Sequence, residues 1–174
     1  MIHGIIVMLL FSCHPNKTDE IKEFIVDENQ ASMEAEVFEM YYSDSALVRF
    51  KMSAPKVLNF EDYMEFPQGI HVEKIDDGHV VSSQLIADYA HHDQKKSIWL
   101  AKNNVIAINA EGDSLKTEEL YWDEKRGRIY SEKQVQIVRA DQIINGIGFE
   151  SDQAMENWEI LEPTGVIYLE LNNQ

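Results

Sequence analysis

From about residue 34 onward this chain alternates apolar and polar residues with a period of two, and that alternation narrows its fold more than any other property. Successive side chains of a strand point to opposite faces, whereas an amphipathic helix needs apolar residues three and four apart. In residues 45–54 one parity holds Ala46, Val48, Phe50, Met52 and Ala54, and the other holds Ser45, Leu47, Arg49, Lys51 and Ser53. That is a strand with one dry and one wet face. Residues 81–89 place Val81, Ser83, Leu85, Ala87 and Tyr89 on one side, with Ser82, Gln84, Ile86 and Asp88 on the other. Further strands are expected over 98–101, 105–110, 115–122, 128–131, 135–140 and 165–171.

The breaks between these runs are short and suit turns between antiparallel neighbours: Asp76-Asp77-Gly78, 91–96, Asn103-Asn104, Glu111-Gly112-Asp113, 123–127 and 141–145. A helical turn competes only at 23–25 and 155–160, and no strand–helix alternation points to a parallel sheet. The expected fold class is all-β and antiparallel. An internal echo supports it: Ile98, Trp99 and Lys102 meet Ile129, Tyr130 and Lys133 in order, with one residue inserted before Val105 meets Val135. Each copy is a hairpin-sized unit that must stack on neighbours to bury its face.

Charge narrows the partners. Thirty-one acidic against fifteen basic residues leave −16 in a chain of 174 residues. Nucleic-acid binding and electrostatic docking on anionic membranes both need clustered cations, which this composition does not supply. The chain is 44% hydrophobic, enough for one well-formed core.

The chain start reads differently. Residues 4–12 form an apolar stretch that ends at Cys13, the single cysteine. It falls short of the roughly 20 residues of a spanning helix but matches the apolar core of a signal peptide. Leu10-Phe11-Ser12-Cys13 resembles a bacterial lipobox, which makes Cys13 the expected lipid-attachment residue. The competing reading is a buried N-terminal strand that carries a cysteine. The expected organisation is a signal peptide over 1–12, a lipid-anchored tether over 13–33, with a short strand at Phe24-Ile25-Val26, and a β domain over 34–174.

Catalytic patterns are weak. His91-His92-Asp93 could offer metal ligands, but neighbours on a strand point apart, so no metal is expected. Carboxylate pairs such as Glu118/Glu119 and Asp76/Asp77 invite a glycosidase reading, yet 31 acids make such pairs common on a solvated surface. No nucleophile elbow occurs, and Gly146-x-Gly148 lacks the third glycine of a phosphate loop. The chain is expected to be no enzyme and to use no cofactor.

The order of the runs over 85–89, 99–108, 113–123, 127–137 and 144–149 resembles the LptC and OstA-like family of lipopolysaccharide export proteins. The resemblance rests on Tyr121-Trp122-Asp123, on a Gly before a Val-x-Ile strand, on Gly146-Ile147-Gly148-Phe149, and on the closing Trp158-x-Ile160 and Gly165-x-Ile167. It covers roughly 34–171. It implies a twisted β-jellyroll, open at both ends, whose apolar interior groove carries lipopolysaccharide acyl chains. It implies a periplasmic, inner-membrane-anchored place in a Gram-negative bacterium. The N-terminal edge would meet LptF/LptG-like transporter subunits and the C-terminal edge an LptA-like bridge protein. Many family members carry an N-terminal transmembrane helix, where this chain offers a short segment and a lipobox-like cysteine.

By strand parity the groove-facing candidates are Phe50, Met52, Leu85, Tyr89, Leu100, Tyr121, Ile129, Val135 and Ile137. The same residues could instead pack against each other as a closed core. From a different functional class, the alternative is a periplasmic or surface β-sandwich lipoprotein that binds carbohydrate or acts as a scaffold.

Overall fold

The computed structural model describes residues 30–44, 47–76 and 80–169. The expected signal peptide, Cys13, the strand at 24–26 and nearly all of the tether lie outside them, as does Asp77. Among the described residues eleven strands form one antiparallel sheet: β1 (Met33–Asp44), β2 (Leu47–Asn59), β3 (Tyr63–Phe66), β4 (Ile70–Asp76), β5 (Val80–Ala87), β6 (Tyr89–Asp93), β7 (Ile98–Ile108), β8 (Ser114–Asp123), β9 (Arg128–Val138), β10 (Gln142–Asp152) and β11 (Trp158–Tyr168). The all-β antiparallel expectation holds, and the architecture is consistent with a β-jellyroll.

The topology is simpler than eleven strands suggest. β3 and β4 lie end to end beside β2, and β5 and β6 lie end to end beside β7. Every long segment therefore pairs with its sequence neighbours in a meander, with β1 and β11 as the two edges among the described residues.

A crease crosses this meander at right angles to the strands. Val37, at φ 54°, sits opposite Pro55, whose missing N–H cannot continue the ladder. The line continues through the break between Phe66 and Ile70, where Gly69 has φ 98°, and through Asp88, whose N–H donates to the Asn103 carbonyl at 3.0 Å. It then passes Asn103 and Asn104 (φ 62° and 52°), the irregular register between Thr117 and Tyr121, and Gly148 (φ 77°). Extra residues in one strand of a pair bend the sheet. Here they bend it so that its two halves face one another, with the core between them. Thr117 fastens the crease, its hydroxyl donating to the Gln134 carbonyl at 2.9 Å and lying 3.3 Å from Ser131 Oγ.

Three sequence expectations change for this reason. Asn103-Asn104 is a bulge inside one continuous strand, not a turn between two. Residues 128–131 and 135–138 likewise belong to the single strand β9, which ends at Val138, short of the expected 140. The run 81–89 is two strands, because the chain bends at Asp88. Of the stretch 155–160, where a helical turn competed, residues 155–157 close the β10–β11 turn and Trp158 opens the edge strand β11, where Pro163 is tolerated because β11 pairs on one side only among the described residues.

The internal echo is real and more regular than the sequence alignment suggests. At a uniform offset of 30, Trp99, Ala101, Val105 and Ala107 on β7 match Ile129, Ser131, Val135 and Ile137 on β9 in burial order. The preceding turns match too. Asp93 accepts from Lys96 N at 2.9 Å and Asp123 from Arg126 N at 3.0 Å, and each turn ends on a left-handed residue, Ser97 (φ 59°) or Gly127 (φ 61°). An aspartate that ties its own turn in this way sets the hairpin without glycine-rich sequence.

Candidate apolar binding cavity

The inner face of the folded sheet is built in rungs of cross-strand partners, which share a face. Phe50, Lys74 and Ser83 make the outermost rung, and Met52, Val72, Leu85 and Ala107 the next. Exposure falls along β2 from Phe50 at 39% to Met52 at 9% and Ala54 at 6%, so the space opens toward Phe50 and closes toward the crease. The facing half contributes Trp99, Ala101, Leu120, Trp122 and Ile129. Between the halves lies an apolar cavity of about 390 Å³, within the range of roughly 300–1,000 Å³ usual for small-molecule sites.

The space exists because the inner face is lined with small residues where the halves approach. Ala90, Ala101 and Ala107 are 7% exposed or less and occupy positions that a fully packed core would fill with Leu or Ile. The β10–β11 turn partly bridges the lips: Gln153, Ala154 and Met155 border the cavity, and Asn109 Nδ2 donates to the Met155 carbonyl at 3.5 Å. That turn is held by the Asp152 carboxylate, which accepts from Ala154 N, Glu156 N and Asn157 N at 3.1–3.2 Å and from Asn157 Nδ2 at 2.6 Å. These bonds hold the Asp152 carboxyl below its ordinary value, the Asn157 amide contributing most.

The nine groove candidates distribute as follows. Phe50, Met52, Leu85 and Ile129 line the cavity. Leu100 and Tyr121 border it from their strands, but their register opposite the buried Ala101–Leu120 pair turns their side chains to the other face. There Tyr121 stacks on Tyr130 at 5.0 Å and donates its hydroxyl to Glu119 at 3.1 Å. Val135 and Ile137, each 3% exposed, belong to the packed core beside the cavity. Tyr89 does not line it: the bend at Asp88 reverses the parity, so that Ala90 faces inward and Tyr89 outward, donating its hydroxyl to Glu65 at 3.0 Å. Burial and that bond push the Tyr89 hydroxyl up to about 12.

Sequence reasoning missed Ile70 and Val72, because β4 was not recognised, and it missed Trp99, Trp122 and Met155. The alanines at 90, 101 and 107 were the readable signal for open volume on an inward face.

The other chemical candidates are engaged elsewhere. His91 stacks on Tyr63, His92 stacks on Trp99 with centroids 4.1 Å apart, and Asp93 pairs with Lys96 at 2.8 Å. Burial holds His92 below the usual imidazole range against the pull of Glu124, which receives the Trp99 indole N–H at 2.5 Å. Among the described residues no group of three His, Cys, Asp or Glu could hold a metal ion. Glu119 of the Glu118/Glu119 pair is tied to Lys102 at 3.5 Å and to Lys133 at 3.8 Å.

What this arrangement offers is burial of a flexible apolar chain. No curated protein matches the chain. A family described as lipopolysaccharide-assembly, LptC-related, matches residues 3–168, nearly the whole of it. With that match the folded meander, its two edges and its apolar interior have a common setting: the chain belongs to the LptC family.

Proposed function

We propose that the chain is a non-enzymatic relay, taking lipopolysaccharide from an inner-membrane ABC transporter and passing it through its cavity to an LptA-like bridge. Family membership implies a role in lipopolysaccharide transport by a periplasmic, inner-membrane-associated bacterial protein. The observation that carries the finer reading is an apolar cavity in a sheet whose two edges remain unpaired among the described residues. An apolar cavity grips an acyl chain in proportion to the area it buries, about 25 cal/mol per Å², without bond-making. The edge strands β1 and β11 present N–H and C=O rows on which neighbouring sheets can continue, β1 toward LptF/LptG-like subunits and β11 toward the bridge. Anchoring through a lipid on Cys13 belongs to the same proposal. One acyl chain holds a protein only marginally at a membrane, and stable anchoring takes two signals, as an acylated lipobox cysteine supplies.

Filling the cavity tests the reading. Ala107→Phe places a ring opposite Leu85, where the rung is open. The variant is expected to fold with a stability change of at most about 1–3 kcal/mol while losing most of its co-purifying lipopolysaccharide. Undiminished lipopolysaccharide in a folded Ala107→Phe protein would place the lipid outside this cavity.

A further inference from the structure

We infer that Lys74 is the head-group residue of the cavity, pairing with the anionic group of an amphiphile whose acyl chain lies among Met52, Val72 and Leu85. The inference rests on the transport reading and assigns the polar half of the same ligand. Among the described residues Lys74 is the one charged side chain that lines the cavity, in a chain whose formal charge is −16. It stands on the outermost rung, between Phe50 and Ser83, where apolar lining gives way to solvent. Its neighbour Glu73 lies opposite Lys51 and, by alternation, on the outer face.

Among the described residues the one ion pair of Lys74 is with Asp76 at 3.8 Å, both side chains being about half exposed, and pairs of that kind hold a lysine weakly. Among the described residues no carboxylate lines the cavity to compete for the ammonium. A lysine stem can lie along apolar surface while its head stays in water, so Lys74 can cover the rung beside Phe50 and meet an anion at the mouth. The ligand this fits carries a carboxylate or phosphate at one end and hydrocarbon at the other, a few methylenes below it. Charge-assisted hydrogen bonds are roughly twice as strong as neutral ones, so the lysine would discriminate charged from uncharged amphiphiles.

The test is titration of the purified full chain with a fluorescent fatty acid, cis-parinaric acid, and with its uncharged methyl ester. Lys74→Gln is expected to weaken the acid about tenfold and to leave the ester within about twofold, while Lys74→Arg restores the acid. Inorganic phosphate should not displace the acid. An acid unaffected by Lys74→Gln, or equal weakening of acid and ester, would overturn the assignment and leave the cavity reading intact. Displacement by phosphate would make Lys74 a site for a free anion, contrary to the inference. If the wild-type chain binds neither probe, the cavity reading falls and this inference with it.

Discussion

Phe66→Ala is expected to lower the free energy of unfolding by about 3–5 kcal/mol, the usual cost of deleting a buried aromatic ring. Phe66 is fully buried at the end of β3, just before the crease. Its ring meets Phe38 from β1 at 6.1 Å and Trp99 from β7 at 5.9 Å, so it joins strands from separate parts of the meander. It does not line the cavity, and its removal therefore opens a second void in the packed core beside it. Against a typical total stability of about 5–15 kcal/mol, such a loss threatens folding itself. A chain of this size would lose roughly 6–20 °C in melting temperature. Urea denaturation measures the effect directly. A loss below about 1 kcal/mol would mean that Phe66 is not packed between the halves.

The second large effect is local. Gly146→Val is expected to detach β11 while the remaining strands stay folded. A Cβ at Gly146 would collide with the Ile160 side chain and lie 2.7 Å from the Glu162 carbonyl oxygen, both on β11. β10 and β11 shift register at this point, between Asn145 and Gly146, so the edge strand passes unusually close to the β10 backbone. Among the described residues β11 pairs only with β10, and its side chains from Leu161 to Tyr168 are exposed, so little burial resists its release. Hydrogen exchange should show β11 amides losing protection while those of β4, β5 and β7 keep theirs. If the proposed hand-over uses that edge, the same variant will fail to bind an LptA-like partner. Full β11 protection in Gly146→Val would contradict the close approach.

Much of the fold was legible because period-two alternation survives wherever one face is buried. The turns at Asp93 and Asp123 could be read without glycine, since an aspartate ties its own turn, whereas the turn that Asp152 ties was not. The crease could not be read. Asn103-Asn104 looks like a turn when taken locally, and only pairing with β6, β8 and the Asp88 bend makes it a bulge within β7. The same gap explains the groove candidates. Phe50, Met52, Leu85 and Ile129 lie within unbroken stretches whose parity carries through. Tyr89 lies one residue beyond a bend, where parity reverses, and Leu100 and Tyr121 stand one position out of phase with Ala101 and Leu120, which face inward. Lys74 was not singled out because β4 was not recognised, and without its rung a lysine among acidic residues carries no meaning.

The central claim is that acyl chains occupy the space between the two halves of the sheet. Photo-crosslinking in cells tests it most directly, with a photoreactive residue at Leu85 and, one position along, at Ile86. Leu85 lines the cavity, and Ile86 is 41% exposed on the outer face. Lipopolysaccharide adducts at Leu85 and none at Ile86 are the predicted result. Adducts at Ile86 alone, or at neither position in a folded and correctly localised protein, would contradict it and favour a closed core serving as a binding scaffold.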